Sequence, residues 1–117
     1  MINSTGDSLS ALSAFQKKMD VTADNVANVL TDGFKKSRVT LEEGNSGGVT
    51  AVVDRVETQG VVKETTQGDE IVEVESSNVD LAEEMTEMIP TKAAYSANLT
   101  TLKAQEEMVG ALLDIFS

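Results

Sequence analysis

An apolar rhythm runs through the last third of the sequence and restricts what the chain can fold into. Between residues 81 and 116, eleven positions follow one another at alternating spacings of four and three residues. Nine of these eleven are hydrophobic, although the whole chain is only 40% hydrophobic. Such steps keep side chains on one face of an α-helix. The pattern predicts a long amphipathic helix whose stripe consists of Leu81, Met85, Met88, Lys92, Tyr95, Leu99, Leu102, Glu106, Val109, Leu113 and Phe116.

A second helix is predicted near the N-terminus, from about Ser8 to Leu30. Thr22 is the one polar interruption of its stripe, and Asp32-Gly33 beyond it form a turn signal that includes a residue suited to left-handed backbone. Folded back on the longer helix, it would form an antiparallel coiled coil. Its stripe consists of Leu12, Phe15, Met19, Val26 and Val29.

The two predicted helices differ in length, at about 35 Å and about 55 Å. If Ser8 lies near Phe116, the pairing ends near Ala93 to Tyr95, which leaves residues 80–89 unpaired and free to lie against the strand region. Pro90, the only proline in the chain, would follow directly. Because proline removes a backbone hydrogen bond and clashes with the preceding turn, a kink or break is expected between Thr86 and Pro90.

Between the helices, Val- and Thr-rich pieces such as VTAVV and IVEVE alternate with glycine-containing turns. They predict three or four short strands. The fold class is therefore α+β, with long terminal helices and a small β-rich middle. The segments are residues 1–34, a helix and turn; residues 35–76, the β-rich insert; and residues 77–117, the second helix.

Composition excludes several classes of function. The chain has no His, Cys or Trp, which removes the usual general base, thiol nucleophile and zinc ligands. Its net charge of -11 disfavours nucleic acids and anionic membranes. Acidic pairs such as Glu42-Glu43 and Asp69-Glu70 lack the spacing of calcium ligands. We expect no catalytic residue, cofactor, metal, small-molecule substrate or membrane insertion, and no cleaved secretory signal.

The stripes admit two interpretations. They are either the internal core of a helical hairpin, or a surface that also packs against other subunits. Several apolar residues lie off the main rhythm and widen the stripes, which favours packing between subunits. These residues are Ala11, Ala23, Ala27, Leu30, Val79, Ile89, Leu112 and Ile115.

Two segments resemble the signatures of the bacterial flagellar rod and hook axial proteins. Residues 21–39 resemble the N-terminal signature of that family, with Asp32 where proline is usual; the matching positions are Ala23, Asn25, Ala27, Asn28, Thr31, Gly33 and Phe34. Residues 77–115 resemble the C-terminal signature through Ser77, Asn78, Val79, Asp80, Glu84, Met85, Ala94, Tyr95, Ala97 and Asn98. In length the chain is most similar to the proximal rod component, rod protein C.

The resemblance implies a structural rather than an enzymatic protein. It implies export by the flagellar type III apparatus, assembly with other copies and other rod proteins into the basal-body rod in the periplasm, and transmission of torque for motility. The terminal helices would pair as an inner layer around an axial channel. A soluble acidic coiled-coil adaptor or regulatory binding module is the alternative.

Smaller features leave choices open. Asn25 and Asn28 lie on one helix face, where their amides would either fix the register by bonding to the turn or a neighbouring helix, or be solvated. Ser77, Asn78 or Asp80 would cap the second helix. Lys35, Lys36 and Arg38 form a basic cluster that would meet an acidic face of another subunit, such as Glu83-Glu84 or Glu106-Glu107, or remain solvated.

Overall fold

A computed structural model describes residues 2–116, with side chains from residue 5 onward. The elements follow the order α1 (Ile2–Ala27), β1 (Ser37–Glu43), β2 (Val49–Arg55), β3 (Val62–Gln67), β4 (Glu70–Glu75) and α2 (Leu81–Phe116). The strands form two separate antiparallel hairpins, β1–β2 and β3–β4. Two helices and a β-rich middle agree with the predicted α+β class.

The molecule is elongated. Its extents are 81 × 24 × 19 Å and its radius of gyration is 20.8 Å, whereas a compact domain of this length has a radius of about 13 Å. The 36 residues of α2 account for about 54 Å of the long axis. The β3–β4 hairpin packs against neither helix and neither of the other strands.

The two helices pack antiparallel, in a register that differs from the predicted one. The Thr5 hydroxyl donates to Gln105 Oε1 at 3.4 Å, and the Asn25 side chain bonds to Glu84. Ser8 therefore lies opposite Leu102, and not near Phe116. The prediction that residues 80–89 are left unpaired is wrong, because α2 extends past α1 at its other end, where residues 108–116 lie beyond the start of α1 and are all exposed.

The first hairpin lies along α1. At one end, the Asn25 amide bonds to Ser37 at the start of β1, and at the other, the Val49 N–H donates to Ser10 Oγ at 3.1 Å. The alternating half-buried residues of β1, from Ser37 to Leu41, face the helix. Helix α1 therefore packs against the first hairpin as well as against α2.

Helix α2 continues through Pro90 without interruption, so a break there is excluded, whereas the kink stays a prediction. Pro90 has no N–H to donate to the Thr86 carbonyl. Residues 85–87, which surround that carbonyl, are exposed. Thr86 and Thr91 each donate their hydroxyl to a carbonyl one turn earlier, that of Ala82 at 2.7 Å and that of Glu87 at 2.9 Å.

Helix α1 ends at Ala27, three residues before the predicted end. Gly33 has φ +73°, as expected for a left-handed residue after a helix, and its N–H donates to the Glu75 carbonyl at 2.8 Å. Gly60 has a different role, because a Cβ there would be 1.9 Å from the Ser76 carbonyl oxygen. Only glycine allows these two backbone segments to lie so close.

Candidate functional site

Asn25 is the centre of a polar junction between α1, β1 and α2. Its side chain is 1% exposed, and its amide group forms two hydrogen bonds with the backbone of Ser37. Nδ2 donates to the Ser37 carbonyl at 2.8 Å, and Oδ1 accepts from the Ser37 N–H at 3.0 Å. Because the same side chain also bonds to Glu84, one residue fixes three elements. Asn25 is therefore not a solvated residue near a helix end.

Asn28 closes the turn after α1. Its Nδ2 donates to the Asp24 carbonyl at 2.9 Å, and its Oδ1 accepts from the Thr31 hydroxyl at 3.0 Å. The two asparagines therefore differ, since Asn25 bonds across elements and Asn28 bonds within its own turn.

Asn78 gathers the segments that enter and leave the two hairpins. Its Oδ1 accepts from the Lys36 N–H at 2.7 Å, and its Nδ2 donates to the carbonyls of Val56 at 2.9 Å and Thr58 at 3.0 Å. Its own N–H donates to the Phe34 carbonyl at 3.3 Å. The N-terminal and C-terminal motif segments thus contact each other where α1 has ended and α2 is about to begin.

Asp80 is the residue that caps α2. Its Oδ1 accepts from the N–H groups of Ala82 at 3.0 Å and Glu83 at 3.3 Å. A carboxylate here also complements the positive end of the helix dipole. Ser77 is buried and accepts the Val79 N–H instead, which supports the segment before the cap.

Two carboxylates near the junction are perturbed in opposite directions. Glu84 is 4% exposed, and burial raises the pKa of its carboxyl, which the Asn25 hydrogen bond partly offsets. Glu75 bonds to Lys35 and to the Gly60 N–H, and these contacts lower its pKa. Lys36 lies 3.6 Å from Glu83 in the same chain. Two of the three basic residues therefore have partners within the subunit, and Arg38 is exposed.

The surface between the helices is built mainly from small and polar residues. On α1 the buried residues are Ser8, Ala11, Ala14, Thr22 and Asn25. On α2 the buried and half-buried residues are Glu84, Met88, Thr91, Ala94, Tyr95, Asn98, Leu102 and Gln105. The register places small residues of α1 opposite larger ones of α2, for example Ala14 opposite Tyr95. This arrangement allows close approach of the helices.

The predicted stripes are divided between this inner surface and solvent. On α1 the half-buried stripe residues are Leu12, Phe15, Met19 and Val26, and Val29 is half-buried in the turn that follows α1. On α2 they are Met88, Tyr95 and Leu102. The exposed stripe residues on α2 are Leu81, Met85, Lys92, Leu99, Glu106, Val109, Leu113 and Phe116. We name residues 108–116 the overhang, and we name Met85, Lys92, Leu99, Glu106 and Leu113, which follow one another at steps of seven, the outer column.

The remaining motif residues are either exposed or half-buried. Ala23, Ala27, Thr31 and Ala97 are exposed. Phe34, Val79, Ala94 and Asn98 are half-buried, and the Asn98 amide donates to the Ala94 carbonyl at 2.9 Å. Sequence reasoning missed Ser8, Thr22 and Ser37 as parts of the interior. The regular spacing of small residues at 8, 11 and 14 is the signal that would have indicated the buried face of α1.

The described residues present few features of other classes of site. Within residues 2–116, neither helix is long and apolar enough to cross a bilayer. In the same part of the chain, no group of three or more acidic side chains is placed to hold a metal ion.

Comparison with known families identifies the two segments that contain the junction and the overhang. The family described as flagella basal body rod protein matches residues 8–35, and the family described as flagellar basal body rod FlgEFG protein C-terminal matches residues 73–115. The first match covers most of α1 and its turn, and the second covers the Asn78 segment, the Asp80 cap and nearly all of α2. The chain belongs to the flagellar basal-body rod protein family.

A relative agrees with this assignment over part of the chain. Over 43 residues, this chain is 49% identical to flagellar basal-body rod protein FlgG of Bacillus subtilis (strain 168). The match covers 37% of this chain and 16% of the relative. Family membership supports a structural role in the flagellar basal body.

Proposed function

We propose that this chain is a subunit of the bacterial flagellar rod that polymerises through its terminal helices and transmits torque, and that the flagellar type III apparatus exports it to the periplasmic rod. The observation that carries the proposal is the overhang. Its large apolar residues, from Met108 to Phe116, are 41–84% exposed and lie beyond the reach of α1. A subunit whose longest helix projects an uncovered apolar end has a surface for neighbouring subunits.

The polar junction supports a mechanical role. Hydrogen bonds from Asn25 and Asn78 connect both helices to the first hairpin, so a force on one helix is passed to the other elements. Contacts made by an end of the molecule with a different part of the next copy are heterologous and build open filaments. No chemical step is required, and the partners are other copies and other rod proteins. The assignment to rod protein C stays a prediction from chain length.

Removal of the overhang tests the proposal. A motile bacterium that makes the chain without residues 108–116 is expected to lose swimming, and electron microscopy of its purified basal bodies is expected to lack this subunit's density. The junction lies about 35 Å away along α2, so the purified shortened chain is expected to remain folded by circular dichroism. Normal swimming with normal basal bodies would contradict the proposal and favour the adaptor alternative.

A matched pair of substitutions provides the control. Leu113→Ser removes an apolar side chain that is 65% exposed on the overhang, and Ile71→Ser removes one that is 72% exposed on the β3–β4 hairpin. Only the first is expected to impair swimming.

Truncation of residues 1–20 is expected to abolish both secretion and swimming, measured as protein in the culture medium and as spreading in soft agar.

A further inference from the structure

The outer column of α2 is symmetric about its central residue in its apolar positions, and its two charged positions carry opposite charges. Leu99 is the middle residue, with Lys92 seven residues before it and Glu106 seven residues after it. Met85 and Leu113 lie seven residues farther on each side. Read in either direction, the column is apolar, charged, apolar, oppositely charged, apolar.

All five side chains of the outer column are exposed, including Met85 at 57% and Leu99 at 40%. Helix α1 packs against the neighbouring face of α2, which consists of Glu84, Met88, Thr91 and the residues that continue that face. Three large apolar residues along about 42 Å of helix therefore have no cover within the chain. Residues at steps of seven occupy the same position of successive heptads, so a second helix that supercoils around α2 can contact all of them.

We propose that the soluble subunit forms a two-fold symmetric dimer in which the outer columns of two copies pack antiparallel, centred on Leu99. Leu99 meets Leu99 of the other copy. Each Lys92 meets the other copy's Glu106, and each Met85 meets the other copy's Leu113. One alignment therefore pairs every charge with its opposite and every apolar residue with an apolar residue.

The charges select this alignment over others. A parallel pair in register places Lys92 against Lys92 and Glu106 against Glu106, so like charges repel at both positions. An antiparallel pair displaced by seven residues places Lys92 against Leu99 or Leu113 and loses both opposite-charge contacts. The second copy is thus identified by charge complementarity as well as by apolar surface.

The dimer is a closed assembly, because a two-fold contact uses the same surface on both copies and leaves none for a third. It covers Leu113, which also belongs to the overhang. Open-ended assembly through the overhang then requires the dimer to open first. The dimer does not depend on the proposed rod function, since its test is made on the purified chain in solution.

A charge swap tests the pairing by sedimentation equilibrium of the purified full chain. Glu106→Lys is expected to raise the dimer dissociation constant about tenfold or more, because two attractive pairs become repulsive. Adding Lys92→Glu to that variant restores opposite charges and is expected to return the constant to within about threefold of the original. Glu107→Lys is the matched control, with the same change in net charge at an exposed position outside the outer column.

Introduced cysteines test the orientation, and the absence of natural cysteine makes each new thiol unique. Leu99→Cys is expected to form a disulfide between copies. When Met85→Cys and Leu113→Cys chains are mixed and oxidised, the expected product joins residue 85 of one chain to residue 113 of the other.

Three results would overturn the proposal. The first is a chain that sediments as a monomer up to its solubility limit. The second is an equal effect of Glu106→Lys and Glu107→Lys with no recovery in the charge-swapped double variant. The third is a predominant disulfide between residue 85 of both chains, which indicates parallel helices. Loss of the dimer together with intact swimming would leave the rod function standing.

Discussion

The interior between the helices and the outer column of α2 have opposite compositions. Between the helices, Thr22, Asn25 and Glu84 are buried, and the only fully buried hydrophobic residues among those described are Ala11 and Ala14. On the outer column, Met85, Leu99 and Leu113 are exposed. Among the described residues, no large apolar side chain is fully buried between the helices, and several large ones are exposed on α2. Hydrogen bonds therefore contribute much of what fixes the interior of the chain, while these large apolar side chains of α2 stay on its surface.

The largest effect is expected at the centre of the polar interior. Asn25→Ala leaves the N–H and C=O of Ser37 without their partners and removes a hydrogen bond from Glu84, so we expect a loss of about 2–4 kcal/mol in the free energy of unfolding. Urea denaturation followed by circular dichroism measures it. Asn28→Ala, which affects one turn only, is expected to cost about 1 kcal/mol. Equal losses would show that Asn25 is not the special residue of the pair.

Gly60→Ala is expected to have the next largest effect, because its Cβ would collide with the Ser76 carbonyl oxygen. Moving the backbone is expected to cost about 1–3 kcal/mol in the same urea measurement. Gly110→Ala provides a contrast on the exposed side of α2, where a Cβ meets nothing within 4 Å. That variant is expected to be more stable by about 0.5–1 kcal/mol, since alanine favours helix.

A smaller change, dependent on pH, is expected from Glu84→Gln. Because the folded state raises the pKa of Glu84 above 4.5, the protonated carboxyl is favoured on folding, and stability declines as pH rises from 4.5 through the folded pKa. The variant removes this decline, so its unfolding free energy relative to the native chain should increase over that range.

Glu75→Gln is the matched control for the pH experiment. The Lys35 contact lowers the pKa of Glu75. The stabilisation that ionised Glu75 gives the folded chain is therefore present above pH 4.5 and is lost as pH falls through the folded pKa. The two variants should therefore differ from the native chain with opposite dependence on pH. The same dependence in both would contradict the assignment of burial as the cause at Glu84.

The smallest effect on folding is expected on the outer column. Leu113→Ser should change the free energy of unfolding by no more than about 0.5 kcal/mol, because the side chain has few contacts within the subunit. Dilute samples keep the measurement free of association. A loss above 1 kcal/mol would show that the overhang is part of the subunit's own core.

The sequence rhythm identified both helices but not the side of α2 that α1 covers. The spacing shows which residues share a face of the helix, but it does not show which edge of that face packs against α1. We expected the larger apolar residues to face α1. The structure places Glu84, Thr91 and Asn98 inward instead of Met85, Lys92 and Leu99. Small residues on α1 allow this, because they let larger side chains of α2 approach.

The register of the helices also required information that periodicity does not contain. Matching the far ends of the helices put Ser8 beside Phe116, whereas hydrogen bonds at the near ends, from Asn25 and Asn78, set the actual alignment. The Asn25 motif could be recognised in the sequence. Its partner Ser37 could not, since any residue provides a backbone N–H and C=O.

The β3–β4 hairpin offers a practical handle on the molecule. Its two-residue turn, with Gly68 at φ +67° followed by Asp69, is exposed, and the hairpin packs against no other helix or strand. Exposed loop tips tolerate added peptide. A short epitope tag placed between Gly68 and Asp69 would therefore report the location of the protein in micrographs while leaving both helices and their junction unchanged.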